Sequence, residues 1–303
     1  MTAPPLRFGI VSTAGINQSL LDAAAATGAA EVVAVSSRDA GRAAAYAREH
    51  QIPAFHAGHA GLVADPAVEA VYISAPNALH VEWAMAAIAA GKHVLCEKPL
   101  TRSAADARAT VDAAEAAGVV LAEAFMYRHH PQIRRLAEQV RGGEVGALRS
   151  MRSAFGFTAD RPDDILLRPE LDGGGLLDVG CYCVSAFRLL AGEPKHVGAE
   201  AEVGPTGVDL RFRGRMEFAR GVTGEFECGI AMPETSLLEV IGDAGTMRLD
   251  DPWHGRGQGV DPYALQLEDF VGAVRDGRAP LVAGEEIVRQ AAVMEALMAS
   301  AGI

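Results

Sequence analysis

Short apolar runs rich in β-branched residues alternate with apolar positions at helical spacing from Leu6 to about residue 123. Alternation of this kind is typical of a parallel sheet covered by helices on both faces. We expect strands at 6–12, 31–36, 70–74, 92–96 and 119–123, with helices near 17–28, 39–50, 77–91 and 103–117 between them.

The pattern changes after a further predicted helix near 131–142, where Arg141-Gly142-Gly143 interrupts it. Alternating apolar and polar residues then predict strands, as in Arg213–Phe218 and Gly224–Cys228. Strands dominate from about 148 to 250, and helices are expected near 175–191, 262–276 and 284–300. We therefore predict an α/β domain at 1–124 and an α+β domain at 125–303, whose last helices could pack back on the first domain.

The composition limits the classes of partner. Half of the 303 residues are hydrophobic, the formal net charge is −12 and the pI is near 5.2. An acidic chain without clustered Lys and Arg argues against a nucleic-acid or anionic-membrane partner. We expect no secretory leader, because the predicted strand at Leu6–Val11 comes directly after the first five residues. We also expect no membrane span, because charges interrupt the apolar stretches before they reach the necessary length. We expect a cytoplasmic protein.

Four cysteines are present, and their scatter predicts free thiols rather than a disulfide framework. Cys181 and Cys183 are separated by one residue, whereas zinc sites usually have two to four residues between paired ligands. No histidine cluster completes the set. We expect no metal site.

The turn after the first predicted strand is the natural place for a pyrophosphate, because backbone N–H groups and a helix N-terminus converge there. It reads Gly9-Ile10-Val11-Ser12-Thr13-Ala14-Gly15-Ile16-Asn17. Ser12 and Ala14 replace the first two glycines of the dinucleotide fingerprint, but they are small enough to allow close approach of a phosphate. A tight turn without a nucleotide is the alternative interpretation.

The second predicted strand ends in Ser37-Arg38-Asp39, where such folds contact the adenine ribose. A hydroxyl and a guanidinium suit the 2′-phosphate of NADP, because arginine forms charge-assisted and often paired hydrogen bonds with phosphate. NADP is therefore favoured, with NAD possible. Arg38 as a solvated helix-start residue, or Asp39 as the ribose ligand, are the alternatives.

Several segments occur in the order of one known family. They are Ser12-Thr13-Ala14, Ser37-Arg38-Asp39, Pro76-Asn77-Ala78-Leu79-His80, Glu97-Lys98-Pro99, Glu123–Arg128 and Gly173–Tyr182. With these segments the chain resembles the Gfo/Idh/MocA oxidoreductases, and the resemblance extends over nearly the whole chain. It is strongest to the branch of dihydrodiol dehydrogenase and NADP-dependent D-xylose dehydrogenase. The resemblance implies a Rossmann domain, a second domain with a large and mostly antiparallel sheet, and an active site in the cleft between them.

The resemblance also implies the site residues. Lys98, Asp178 and Tyr182 occupy the family's catalytic positions, with Tyr182 where inositol-type members carry a histidine. Hydride transfer at a carbinol carbon requires a proton acceptor for the hydroxyl. Tyr182 is the candidate; a free tyrosine has a pKa near 10, and a nearby lysine cation would stabilise its phenolate. Lys98 as the acid/base itself is the alternative, and Asp178 as a simple helix N-cap is another.

Further positions follow from the same resemblance. The cofactor would contact Ser12, Thr13, Ala14, Ile16, Ser37, Arg38, Pro76, Asn77, His80, Glu97 and Lys98. Asn77 is also a plausible N-cap for the helix after it. Tyr127 and Arg128, together with Asp178 and Tyr182, would line the substrate pocket, whereas Phe125 and Met126 are expected in the core. The Lys98–Pro99 peptide bond is often cis in this family.

Two features depart from the family. The related branch commonly carries an arginine three residues before Pro169, where this chain has Leu166, so polyol recognition is expected to differ. The interval from Leu249 to Pro262, with the glycine-rich segment Trp253–Gly259, is short. Because the family often pairs subunits through the second sheet, we expect a homo-oligomer, dimer or tetramer, whose surface this shortening alters.

These observations predict an NADP(H)-dependent dehydrogenase or reductase of sugars, cyclitols or dihydrodiols. It would act on a secondary alcohol, a ketone or an anomeric carbon. A redox-neutral glycoside hydrolase that uses held NAD, and a non-catalytic nucleotide or sugar sensor, are the alternatives. Retention of Lys98, Asp178 and Tyr182 together argues against the sensor.

Overall fold

The computed structural model describes residues 4–161, 163–254 and 259–303, and the chain divides into two compact units. The first unit runs to Thr101 and includes Ala105–Met126 and Asp261–Val288. The second comprises Arg102–Ala104, Tyr127–Val260 and Arg289–Ile303.

A six-stranded parallel sheet forms the first unit, with strand order β3-β2-β1-β4-β5-β6. Its strands are β1 (Leu6–Val11), β2 (Ala30–Ser37), β3 (Ala54–Ala57), β4 (Ala70–Ile73), β5 (His93–Cys96) and β6 (Leu121–Glu123). Its helices are α1 (Asn17–Thr27), α2 (Ala40–Glu49), α3 (His59–Val63), α4 (His80–Ala89) and α5 (Ala104–Ala117), and α8 (Pro262–Asp276) joins them. This confirms the predicted α/β Rossmann class.

The strands form where apolar side chains can be buried on both faces of the sheet. Leu6, Phe8 and Ile10 of β1 are almost completely buried. Phe270 of α8 packs against Phe8 with a centroid distance of 5.6 Å. A helix from near the C-terminus therefore completes the core of the N-terminal sheet.

Two short elements, β3 and α3, were absent from the expected series. Each has only four or five residues, too few to generate a periodic pattern. Phe55 of β3 is 50% exposed, as an edge strand permits. The start of α4 also differs from prediction: a 3₁₀ turn at Asn77–Leu79 comes first, so the residue at the N-cap of α4 is Leu79 and not Asn77.

A second six-stranded sheet forms the second unit, in the order β12-β11-β7-β10-β9-β8. Its strands are β7 (Leu148–Thr158), β8 (His196–Val203), β9 (Asp209–Glu217), β10 (Thr223–Gly229), β11 (Ala231–Gly242) and β12 (Thr246–Leu249). Only the β7–β10 pair is parallel, so the sheet is mostly antiparallel, as predicted. Its helices are α6 (Pro131–Arg141) and α7 (Cys181–Ala191). The part of α9 (Glu285–Ala301) from Arg289 onward also belongs to this unit.

One helical stretch among the described residues, Pro169–Ala191, is long and apolar enough to cross a membrane by length and composition, with a mean hydropathy of 1.3. The sequence had predicted none. Of its most apolar window, 78% is buried inside the protein. Phe187 of this stretch packs on Phe226 of β10 at 6.3 Å, so its apolar character is used in the core.

The other face of the second sheet carries a row of charges that we call the charge ladder. The strand registers place Arg248, Glu239, Arg152, Glu225 and Arg215 side by side across five strands. Positive and negative side chains alternate along the row, which is the favourable arrangement for cross-strand pairs. This face is therefore exposed and polar.

All four cysteines are free and buried, as predicted. Phe125 and Met126 are confirmed in the core, with exposed fractions of 1% and 3%. The glycine-rich segment predicted to alter the sheet surface includes residues 255–258, which lie outside the described residues.

Candidate active site

The turn after β1 is held by hydroxyl groups where the dinucleotide fingerprint would have glycines. Ser12 has a φ of 106°, a conformation that side-chain-bearing residues rarely adopt. Its hydroxyl donates to the Ser74 carbonyl at 2.9 Å and accepts from the backbone N–H of Ala14 at 3.2 Å. The buried Asn17 amide donates to the Ser12 carbonyl at 3.1 Å. The conformation is therefore fixed by its own hydrogen bonds.

This turn fits a dinucleotide pyrophosphate. α1 begins immediately after Ile16, whose side chain cannot cap the helix, so the helix N-terminus faces the turn. Thr13 and Ala14 are partly exposed. A Cβ placed on Gly15 would meet no atom within 4 Å, which leaves room beside the backbone.

The last residue of β2 and the two residues after it have different roles. Ser37 is buried, and its hydroxyl accepts from the Asp39 N–H at 3.3 Å. The Asp39 carboxylate caps α2 by accepting from the Arg42 N–H at 2.6 Å. Arg38 is exposed. The Asp39 carboxylate is therefore already engaged as the N-cap of α2, whereas the Arg38 guanidinium is accessible to an anion.

Three buried side chains hold the loop that carries Lys98, and we call this arrangement the Lys98 clamp. The Tyr72 hydroxyl donates to the Glu97 carboxylate at 2.6 Å. The ring nitrogens of His80 lie 2.8 Å from the Pro99 carbonyl and 2.7 Å from the Ala75 carbonyl. On the other side, the Leu100 N–H donates to the Glu123 carboxylate at 2.7 Å. The Lys98–Pro99 peptide bond is cis.

The clamp changes the interpretation of His80. Its ring is 1% exposed, and both nitrogens face backbone carbonyls, one on the loop after β4 and one on the loop after β5. We expect it to position the Lys98 loop and not to contact a cofactor directly. Tyr72 and Glu123, which the sequence analysis did not assign to the site, belong to the same set. The available signal was a polar residue inside each of two otherwise apolar strands.

Tyr263 of α8 is a further residue that the sequence analysis did not assign. Burial and the nearby Glu97 carboxylate raise its pKa to about 12, and the Lys98 cation acts in the opposite direction. Because this electrostatic coupling requires proximity, Tyr263 lies close to the Lys98 loop. No sequence pattern links it to that loop, since 165 positions separate the two residues (263 − 98).

In the second unit, a carboxylate from a neighbouring strand fixes the start of the helix that carries Asp178 and Tyr182. The buried Asp209 of β9 accepts from the Leu176 N–H at 2.6 Å. Gly174, with φ of 109°, is packed so tightly against Asp209 that a Cβ there would collide with the carboxylate. The capping role considered for Asp178 thus belongs to Asp209. A π-helical turn at Leu176–Gly180 then leads into α7, and such turns are frequent at functional sites.

Tyr182 lies in a cluster of aromatic rings. Its ring centroid is 5.2 Å from Phe155, 5.5 Å from Tyr127 and 5.9 Å from Trp253. Trp253 is fully buried, and its indole N–H donates to the Ala154 carbonyl at 3.1 Å. These contacts fix the plane of the Tyr182 ring.

Tyr127 and Arg128 are buried and attached to the same helix as Tyr182. The Tyr127 hydroxyl donates to the Ser185 hydroxyl at 2.8 Å, and the Arg128 guanidinium donates to it at 3.3 Å. His130 caps α6 by accepting from the Gln132 N–H at 3.2 Å. Of the residues predicted to line the substrate pocket, Tyr127 contacts Tyr182. Lys98, predicted as a catalytic residue, belongs to the first unit.

Both parts of the chain match one family. Residues 6–125 match the oxidoreductase family with an NAD-binding Rossmann fold, and residues 133–248 match the GFO/IDH/MocA C-terminal domain. The chain belongs to the GFO/IDH/MocA oxidoreductase family. This membership confirms the resemblance read from the ordered motifs and makes the protein an oxidoreductase by descent.

Three similar proteins define its position in the family. D-xylose 1-dehydrogenase (NADP(+)) 2 of Haloferax volcanii is 40% identical, over 98% of this chain and 97% of the relative. The crystal structure of aldose-aldose oxidoreductase from Caulobacter crescentus, complexed with glycerol, has a TM-score of 0.91 at 25% identity, covering 98% of both chains. A 3-ketoreductase from Actinomadura kijaniata, in complex with NADP and TDP-benzene, has a TM-score of 0.88 at 29% identity, also covering 98% of both.

Replacing Asp209 tests the capped turn. Asp209→Ala leaves the buried Leu176 N–H without its acceptor, and we expect a loss of about 1–3 kcal/mol in the free energy of unfolding. Asp209→Asn keeps an acceptor oxygen and should lose less. Urea unfolding at pH 7, followed by circular dichroism, measures both. Equal stability of Asp209→Ala and the wild type would contradict the capping role.

The same residue gives a pH prediction. Burial raises the pKa of Asp209 to about 6, against the opposing effect of its backbone hydrogen bonds. A carboxyl whose pKa is higher in the folded state stabilises the fold below its unfolded pKa, and that stability is lost as the pH rises through the folded pKa. The stability of the wild type relative to Asp209→Asn should therefore fall between about pH 4 and pH 6, by at most about 3 kcal/mol. A difference that stays constant with pH would contradict it.

Proposed function

We propose that this protein is an NADP(H)-dependent oxidoreductase of sugar-like polyols, and that an aldose such as D-xylose, oxidised at its anomeric carbon, is its substrate. The observation that carries the proposal is the Lys98 clamp. A solvated lysine after a strand does not require a fixed backbone. A lysine that must contact a reacting group does require one, because the contact depends on precise positioning. The name of the Haloferax volcanii relative supports the choice of substrate and cofactor.

The preference for NADP rests on the tip of β2. The Asp39 carboxylate, which could otherwise accept from a ribose hydroxyl, is engaged at the N-cap of α2. Arg38 is exposed beside it and offers a guanidinium to a 2′-phosphate. Ser12, Thr13, Ala14 and Ile16 would hold the pyrophosphate at the start of α1.

The chemistry divides between the cofactor and the chain. NADP, when bound, supplies the hydride acceptor for the oxidation and the hydride donor for the reverse reduction. Tyr182 would take the hydroxyl proton from the substrate and return it in the reverse direction. Lys98 would stabilise by its charge the phenolate form of Tyr182 that accepts this proton, and Asp178 would orient Lys98 or a substrate hydroxyl. Tyr182→Phe distinguishes this division from one in which Lys98 is itself the acid/base.

The direct test is a panel of aldoses, cyclitols and dihydrodiols, with NADPH formation followed by absorbance. We expect NADPH from D-xylose or a close aldose. Lys98→Ala should lower kcat by at least about 100-fold, because it removes a group acting in the transition state, while the Kd for NADPH, measured by fluorescence, stays within a few-fold. Lys195→Ala, which removes an exposed lysine of the second unit, is the control. If the Lys98→Ala enzyme keeps most of its kcat, the proposed catalytic role of Lys98 is wrong.

The alternatives make different predictions in this panel. Cleavage of glycosides without net NADPH would indicate the redox-neutral hydrolase. NADP and sugar binding without any turnover would indicate a sensor. Either result would replace the proposed activity.

A second variant tests the cofactor preference. Arg38→Ala removes a charged partner of the 2′-phosphate, so we expect the Kd for NADP to rise about 10-fold or more while that for NAD changes little. Isothermal titration of both nucleotides measures this. Arg48→Ala, an exposed arginine later in α2, is the matched control. Equal weakening of both nucleotides by Arg38→Ala would show that the 2′-phosphate argument is wrong.

We also propose that the charge ladder forms the surface through which two copies pair. A row of alternating charges can be self-complementary. With a two-fold axis that passes between β7 and β10, Arg152 of one copy would face Glu225 of the other, and Arg215 would face Glu239. The same face has a groove of about 630 Å³ that Arg152, Arg213 and Glu225 help to line.

Light scattering after size exclusion tests this pairing. We expect about twice the chain mass of 31.7 kDa for the wild type. Arg215→Glu places like charges opposite each other, so it should shift the protein toward the monomer. Arg141→Glu, exposed at the end of α6, should not. A wild type that elutes as a monomer would exclude this interface.

A further inference from the structure

A histidine held by an aspartate lies shortly after β12, the last strand of the second sheet. The His254 ring nitrogen Nδ1 is 3.0 Å from the Asp251 carboxylate. The same carboxylate oxygen accepts from the His254 backbone N–H at 3.3 Å. One carboxylate therefore fixes both the backbone and the ring of this residue.

Asp251 is itself attached to two other elements. The Ser236 hydroxyl of β11 donates to the Asp251 carboxylate at 3.3 Å. The Gln132 amide of α6 donates to the Asp251 backbone carbonyl at 2.8 Å. The position of His254 is thus set by α6 and β11 through Asp251, which is the support that a binding group needs to keep its geometry.

His254 adjoins the aromatic cluster that surrounds Tyr182. Its ring lies perpendicular to Phe155, with a centroid distance of 5.4 Å, and Phe155 contacts Tyr182 at 5.2 Å. Tyr182 and Phe155 are 8% and 9% exposed, whereas the side chain of His254 is 34% exposed. His254 is therefore a polar and accessible group next to the apolar walls of the proposed reaction site.

The contact with Asp251 determines what the ring can offer. A carboxylate only accepts, so Nδ1 carries the proton, and in the neutral ring Nε2 is left as a hydrogen-bond acceptor. Sugars present hydroxyl donors above apolar C–H faces. We propose that His254 accepts a hydrogen bond from a hydroxyl of the substrate and thereby selects which polyol is bound, an inference that rests on the proposed function.

One observation favours this role over a structural one. A histidine that only links parts of the fold is usually buried with both nitrogens engaged, as His80 is. The side chain of His254, by contrast, is 34% exposed.

Monodeoxy sugars test the proposal. For the wild type we expect one of the 2-, 3- or 4-deoxy analogues of D-xylose to bind NADP-loaded protein about 10-fold more weakly than D-xylose, because it lacks the hydroxyl that His254 accepts. His254→Ala should weaken D-xylose by a similar factor and bind that analogue as well as it binds D-xylose. Isothermal titration measures these Kd values, and steady-state kinetics should show the change in KM with kcat within about 3-fold.

Matched variants separate recognition from folding. His254→Gln keeps a polar side chain and should restore part of the discrimination. Asp251→Asn alone should weaken D-xylose binding, because Asp251 acts by holding the His254 ring. When it is combined with His254→Ala, it should therefore have little further effect. His196→Ala, an exposed histidine on β8, should change nothing. Melting temperature and the Kd for NADPH should stay unchanged in His254→Ala.

The outcomes are distinguishable from those of the proposed function. Absence of NADPH formation by the wild type with every polyol refutes the activity, while the binding measurements still decide the role of His254. Undiminished discrimination among the deoxy sugars in His254→Ala, or no binding of any of them by the wild type, overturns the inference.

Discussion

The Lys98 clamp is the constraint on which the first half of the proposed site depends. Tyr72 comes from β4, His80 from the start of α4 and Glu123 from β6, and they hold the residues on either side of Lys98. All three are buried polar groups, and a buried polar group is costly unless it is hydrogen-bonded. Loss of the loop conformation would leave them without partners, so the fold itself enforces the position of Lys98.

The second unit uses the same principle. Asp209 is a buried carboxylate on β9, and it fixes the start of the helix that carries Asp178 and Tyr182. Three glycines are required before that helix because Leu166, Asp209 and Gly229 occupy the space where their Cβ atoms would be. In both units a buried polar side chain fixes the backbone next to a proposed catalytic residue, which is the support that an active site needs to keep its geometry.

Prediction from sequence succeeded where many residues contribute to one pattern. The alternation of strands and helices gave the parallel sheet, and the ordered motifs gave the family. It failed where the deciding partner is remote or the element short. β3 and α3 were missed, Asn77 was expected to cap α4, and Asp178 was considered as a cap although that role belongs to Asp209. Caps and clamps depend on which strands become neighbours, and a local pattern does not contain that information.

The chain's own sequence determined the fold class, the family and the residue types available for chemistry, because hydrophobic periodicity and motif order are local or additive properties. Tertiary structure decided what each polar residue does. It engaged Asp39 at a helix start and left Arg38 exposed, it gave His80 two carbonyl partners, and it placed His254 beside the aromatic cluster around Tyr182. The physical reason is that a hydrogen bond needs its partner within about 3 Å, and only folding brings residues distant in sequence to that separation.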